Sequence, residues 1–357
     1  MIDFLVIGGG IAGLSAGARL SELGTVTVVE AEDALGYHAS GRSAALFEQN
    51  YGLPPTVALS IASADYHCHH NGGYLSPRGL LLVARSDQKE AFKSDLQELQ
   101  LAEIPVSEAI SRVPILNSDK IALVAYHAAA EDIDTDRQLQ DFAKTIRVNG
   151  GQVLTRQTVT SITRNGHWHI QAKDSFEARH IVNAAGAWAD RVAEMAGIAP
   201  IGLVPCRRSM ARLPAPGGHD VSEWPMIMGV GESWYAKPDA GKLLVSPADA
   251  DPVEPHDAFA DDMVLAEGLA RYEDMVTEPV TRLESNWAGL RSFAPDRTLV
   301  LGPDPATPAF IWCAGQGGYG FQTAPAASRL LADLVGGRIP EIETDMVAAL
   351  RPERLRR

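Results

Sequence analysis

The chain has 357 residues, 46% hydrophobic and 21% charged, which supplies a large core and is too long for one small module, so two domains or one elaborated domain are expected. A formal net charge of -14 argues against a nucleic-acid backbone or an anionic membrane surface as partner. The opening MIDFLVIGGG lacks a basic leader and a small-residue cleavage site, and no apolar run reaches bilayer length, so a cytoplasmic protein without an integral membrane segment is expected.

In chain order, Ile2 to Ile7 is a short apolar run that meets glycines at once, Ile11 to Leu23 carries helical spacing, and Thr25 to Val29 is β-branched. This is strand, glycine turn, helix, strand, a βαβ unit of a parallel sheet. Gly8, Gly10 and Gly13 form G-x-G-x-x-G around Ile11 and Ala12, and Glu30, followed by Ala31, closes the second strand. The glycines permit a tight turn and close backbone approach to a pyrophosphate at the helix N-terminus. Glu30 would accept hydrogen bonds from ribose hydroxyls and disfavours a 2′-phosphate, which predicts FAD or NAD.

Gly36 to Ala45 follows as a small, polar stretch suited to backbone contact with a cofactor. Gly79 to Arg85, Ser209 to Leu213 and Tyr235 to Val245 read as longer strands joined by Pro- and Gly-containing loops. Between them, Arg137 to Val148 reads as a helix, and Gly151 to Thr155 and His180 to Ala185 as strands of the first texture. Near the end, Trp312 to Ala314 reads as a buried strand, Gly315 to Gly320 as a glycine loop and Thr323 to Val335 as a helix with Pro325 in its first turn. Gly317, Gly318 and Gly320 would let backbone approach a planar ring, and the helix N-terminus would stabilise negative charge on it.

The expected fold is α/β: a Rossmann-like domain built from residues 1–76, 137–203 and 287–357, and a smaller mixed or antiparallel-sheet substrate domain, itself α+β, from 77–136 and 204–286. Cys68, Cys206 and Cys313 are odd in number without a CxxC pair and read as reduced thiols. In Tyr66 to His70, consecutive side chains diverge, so no metal site is expected there. The final RPERLRR reads as a solvated basic tail.

With the stretch GYHASGRSAA from Gly36 to Ala45, the chain resembles the D-amino acid oxidase superfamily of FAD enzymes, which includes glycine and sarcosine oxidases, and within it most resembles the bacterial D-arginine dehydrogenases. Further shared pieces are VIGGGIAG, LSPR at Leu75, DIDTD at Asp132, VNAAGAW at Val182, RRS at Arg207, WPM at Trp224, Tyr235 with KPDAG, WAGLRSF at Trp287 and QGGYGFQT at Gln316. The resemblance implies noncovalent FAD. It places Ser43, Ala44 and Ala45 along the flavin, Arg42 near the cofactor, and Ala185 and Gly186 at its pyrophosphate or adenosine side. Gly317, Gly318, Tyr319, Gly320, Gln322 and Thr323 would form the flavin loop.

The implied reaction moves a hydride from the α-carbon of a D-amino acid to flavin N5, giving an imino acid that hydrolyses to a 2-oxo acid. By resemblance, Arg291 clamps the carboxylate, Tyr235 is its second ligand, Tyr51 sits on a mobile loop over the substrate, Gly318 offers its carbonyl to the amine, and Arg208 is a further active-site arginine whose role Arg207 could exchange. Leu46 stands where the D-arginine enzymes carry a histidine, and Leu80 where they carry the acid that pairs with the substrate guanidinium. With Met226 and Met228, these predict a pocket for neutral or apolar side chains, while Glu48 either receives a cationic group or faces solvent. Alternatives are a glycine or sarcosine-type secondary-amine oxidase and a 2-hydroxy-acid dehydrogenase of the same superfamily. The electron acceptor, oxygen or a quinone among others, is left open.

Overall fold

A computed structural model describes residues 1–356. Ile2–Ile7 pairs in parallel with Val26–Val29 on one side and Ser175–Asn183 on the other, with Val6 level with both Val28 and Val182. Gln152–Leu154 continues the parallel sheet beyond Val26–Val29, and Phe310–Ala314 joins Ser175–Asn183 in parallel. Ser161–Asn165, His167–Gln171 and Val300–Pro303 add antiparallel strands, making eight. Phe4 and Val6 face helices Ile11–Leu20, Thr135–Val148 and Gly320–Gly336 through Leu14, Leu139, Phe142 and Leu330. Leu5 and Ile7 point the other way, to Trp168, Ile181 and Trp312. Both faces are covered, which is why these strands read as unbroken apolar runs.

The second sheet runs Ser285–Phe293, Val204–Leu213, Lys242–Ser246, Tyr235–Asp239, Met226–Gly229, Leu80–Ala84, Leu123–His127, Ala102–Glu103. All its pairings are antiparallel except Met226–Gly229 with Leu80–Ala84. Alternation divides its side chains. Leu81, Ile227, Ala236 and Leu243 join one core cluster, while Leu80, Met228, Tyr235 and Leu244 join another on the opposite face. A three-stranded sheet of Leu46–Phe47, Glu131–Ile133 and Leu75–Pro77 accompanies the two larger ones. The architecture is a Rossmann-like α/β unit with a mixed second sheet.

Three sequence expectations change in detail. Tyr235 to Val245 is a hairpin rather than one strand: the chain reverses at Ala240 and Gly241, whose φ values of 49° and 73° suit a two-residue hairpin turn. Ser285–Phe293, most of which falls within the expected 287–357 dinucleotide segment, pairs along its whole length with Val204–Leu213 in the second sheet. The helix after the glycine loop begins at Gly320, so Pro325 lies inside it rather than in its first turn. The Ala326 N–H there donates to the hydroxyl of Ser63 on the neighbouring helix Pro54–His69 (3.1 Å), and that hydroxyl donates to the Leu59 carbonyl (2.8 Å).

Candidate active site

The glycine turn is built by contact as much as by conformation. Gly8 has φ 116°, and a Cβ there would lie 2.3 Å from the Ala184 carbonyl oxygen; a Cβ on Gly13 would lie 1.9 Å from the Gly8 carbonyl oxygen. Glu30, buried at the end of Val26–Val29, reaches back into this turn. Its carboxylate accepts from the Gly9 N–H (2.6 Å) and the Glu32 N–H (2.9 Å). The Ile11 N–H donates to Ser40 Oγ (3.0 Å), which ties the helix start to the following loop.

That loop is pinned from the second sheet. Arg42 donates through Nη1 to the carbonyls of Ala258 and Ala288 (2.9 Å each) and pairs with Asp257 (2.5 Å). Lys237, buried in Tyr235–Asp239, directs its ammonium to the carbonyls of Ala44 (2.5 Å) and Ala45 (3.2 Å) and pairs with Asp132 (2.8 Å). Asp132 is held in turn by Arg78 (2.7 Å). The clamp sits where Ala45 has φ 24°, a strained value for a residue with a side chain. Lys237 and Asp132 belong to shared motifs, but nothing in the residues alone pairs them or sets them on the Ala44 and Ala45 carbonyls.

At the other end, Arg291 projects from Ser285–Phe293 and is packed by the glycine loop. A Cβ on Gly318 would lie 2.9 Å from Arg291 Nη1, and one on Gly317 would lie 2.4 Å from the Phe293 ring. Burial alone would favour the neutral guanidine, but Tyr51, Tyr235 and Glu232 outweigh it and hold Arg291 firmly cationic. The Tyr51 hydroxyl donates to the Glu232 carboxylate, and its ring is 5.1 Å from that of Tyr319. Burial first, then the Glu232 charge, pushes the Tyr51 phenol far above its ordinary range, so it stays protonated. Arg208 Nε donates to the Asp249 carbonyl (2.8 Å), Nη2 stands 4.0 Å from Glu232, and Nη1 is buried without a hydrogen-bond partner.

Strand alternation separates the adjacent arginines. Arg207 is spent on Asp249 (3.1 Å) and Asp251 (2.8 Å), whereas Arg208 reaches the site. Glu232 carried no sequence signal; it enters through a turn in which its own φ is 49°.

The glycine turn, the loop from Arg42 to Leu46 and the Arg291 end border one elongated cavity of about 530 Å³. One end is walled by Gly8, Gly10, Ile11, Ala12, Glu30 and Ala31, the middle by Arg42 to Leu46 with Ala185 and Gly186, and the other end by Arg208, Tyr235, Arg291, Gln316 to Gly318, Gly320 and Gln322. Two helix N-termini, at Ile11 and Gly320, open toward it.

Residues 3–334 match the family described as FAD dependent oxidoreductase (DAO). The chain belongs to that family. It is 26% identical over 364 residues to a glycine oxidase of Pseudomonas aeruginosa, spanning 95% of this chain and 96% of the relative. Its fold superposes on L-proline dehydrogenase from P. horikoshii with a TM-score of 0.84 at 20% identity, covering 99% and 98% of the two chains. It superposes on the L-α-glycerophosphate oxidase of Mycoplasma pneumoniae with FAD bound with a TM-score of 0.83 at 19% identity, covering 94% of each. FAD is the cofactor of this oxidoreductase, and the cavity fits it. The glycine turn and Glu30 suit the adenosine end and the Gly317–Gly318 backbone the ring, while no protein atom lies within 4 Å of where a Cβ on Gly186 would stand.

Not every predicted site residue reaches the cavity wall. Gly13, Tyr319 and Thr323 act behind it, Gly13 through its close approach to Gly8 and Thr323 through its hydroxyl bond to the Tyr319 carbonyl (2.8 Å). Of the apolar set only Leu46 lines the cavity. Leu80 and Met228 are buried in the sheet face beneath it, with Tyr51 and Met226 packed against the same cluster, because that face also has a core to fill. Glu48 neither faces solvent nor stands free for a cationic group: it is buried and paired with His127 (2.6 Å). In the histidine-rich stretch, His67 is buried with Nε2 3.0 Å from the Gln322 carbonyl, while Cys68, His69 and His70 are exposed. Among the described residues, no helix is long and apolar enough to cross a membrane.

Proposed function

We propose that this FAD-dependent oxidoreductase oxidises the Cα–N bond of a D-amino acid with a neutral or apolar side chain, releasing the imino acid for hydrolysis to the 2-oxo acid. FAD supplies the two-electron acceptor for the hydride. The protein's work is positioning and exclusion of water. Arg291 grips the α-carboxylate in bidentate fashion and Tyr235 donates to it, fixing which face of Cα is presented. Arg208 stands at the same end, its buried Nη1 ready for a further oxygen of the substrate. The Gly318 carbonyl accepts from the amine, and the Tyr51–Glu232 contact joins two loops beside Arg291.

One observation carries this reading. Among the described residues no carboxylate pairs with Arg291; Glu232, the acid acting on it, is engaged by Tyr51. A half-buried cation that lines a cavity with no carboxylate in direct contact is a receptor for an anionic substrate group. The burial of Leu80 and Met228 behind the wall favours a second reading, a glycine or sarcosine-type secondary-amine oxidase, because it leaves less room for a side chain.

The deciding experiment is an anaerobic flavin-reduction screen over D- and L-amino acids, N-methylglycine and 2-hydroxy acids. Bleaching by neutral D-amino acids is expected. Bleaching only by N-methylglycine or glycine would establish the second reading, and bleaching by hydroxy acids alone would overturn both.

A further inference from the structure

The edge hairpin of the first sheet carries a cluster that the cavity does not use. In His167–Gln171 the pleat sends Trp168 inward, where it is buried and donates to the Ala309 carbonyl (3.0 Å), and sends His167 and His169 together to the other face. The neighbouring strand places Glu177 directly opposite His169 in register. The two imidazole centroids are 4.4 Å apart. His167 Nε2 lies 3.5 Å from Glu177 Oε2, and His169 Nδ1 lies 3.6 Å from Glu177 Oε1. One ligand atom from each residue falls within 4.8 Å of the other two.

A metal would draw these three ligand atoms, now within 4.8 Å of one another, closer together. Tetrahedral bonds of about 2.0–2.1 Å put neighbouring ligand atoms roughly 3.3 Å apart, a closure within the reach of side-chain rotation at two half-buried imidazoles and an exposed carboxylate. His167 Nε2 is buried yet has no hydrogen-bond partner, since its approach to Glu177 is poorly aligned for one. A ring nitrogen held in that way lacks the partner that buried polar atoms ordinarily have. Arg179, two residues beyond Glu177 on the same strand face, does not neutralise the carboxylate: it is engaged by Asp3 (3.0 Å).

We propose that His167, His169 and Glu177 form a binding site for a divalent transition-metal ion. Two imidazoles and one carboxylate suit Zn²⁺ and its neighbours; Mg²⁺ and Ca²⁺ prefer more oxygen ligands than the site offers. His169 and Glu177 are partly exposed, so a fourth position stays open to water. None of the three lines the cavity, which makes the role structural. The ion cross-links the edge hairpin to Ser175–Asn183, the strand that runs on into Ala184 and Ala185 of the cavity wall.

The test titrates Zn²⁺ into the untagged, FAD-loaded protein by calorimetry at neutral pH, with Tm measured alongside. One stoichiometric site is expected, with a rise in Tm. His169→Ala and Glu177→Gln, both changes at partly exposed positions, should each weaken binding by about tenfold or more and remove the Tm rise while circular dichroism shows an intact fold. Absence of stoichiometric uptake by the wild-type protein, or uptake unchanged in either variant, overturns the site.

Discussion

Replacing Arg291 by methionine tests the clamp at its centre. The methionine matches the length of the aliphatic stem, and Gly318, where an added Cβ would lie 2.9 Å from Arg291 Nη1, gains room rather than losing it, so folding and flavin content should survive. What is lost is the charge that receives the carboxylate. Removing one partner of a buried, hydrogen-bonded charge pair costs about 2–5 kcal/mol. At about 1.4 kcal/mol per factor of ten, kcat/KM should fall between roughly 30-fold and several thousandfold. Because the carboxylate is held in ground and transition states alike, most of the loss should fall on KM, with kcat declining as far as orientation of Cα suffers. Steady-state kinetics on the best substrate from the screen, with bound flavin quantified by absorbance, measures this. A fully FAD-loaded Arg291→Met enzyme with unchanged kinetics would refute the assignment.

Glu30→Gln keeps the shape but weakens the acceptor for the Gly9 N–H and the acceptor expected for the ribose; hydrogen bonds to charged groups contribute about 1.5–3 kcal/mol, so FAD affinity should drop roughly tenfold to a hundredfold in a titration of apoprotein. Lys237→Met releases the Ala44 and Ala45 carbonyls, so the visible circular dichroism of the flavin should change and its reduction should slow; an unaltered flavin signal would show that the clamp does not bear on the ring. Burial, partly opposed by its contact with the Gln322 carbonyl, holds the His67 pKa down to about 4, below an ordinary 6.5. The unfolded chain therefore binds that proton first: the contribution to stability is whole above pH 6.5 and is lost as pH falls toward 4, by about 1.4 kcal/mol per pH unit. Urea unfolding across that window should show the loss in the wild-type protein and a shallower decline in His67→Gln; parallel curves would contradict it.

The cofactor turn was legible because its demands are local. Gly8, Gly10 and Gly13 are spaced by the geometry of one turn and one helix start, and a motif of that length survives in the residues themselves. Arg291 and Tyr235 were legible only through resemblance, since an arginine after an apolar strand has no distinctive spacing. Alternation along Val204–Leu213 could not be phased from the sequence, so only the structure separates Arg208 from Arg207. Leu80, Met226 and Met228 were expected at the cavity, but an apolar residue on the facing side of a sheet satisfies the core as readily as a pocket.

Composition and short-range pattern thus determined an α/β chain with a dinucleotide turn and a glycine-rich loop before a late helix. The tertiary structure alone decided which polar groups meet. Tyr51 finds Glu232 across 181 residues of chain, Lys237 finds Ala44 across 193, and Glu48 finds His127 across 79. Such pairs leave no periodicity or spacing to read, because buried charges are matched by where the two sheets bring them rather than by where they stand in the chain.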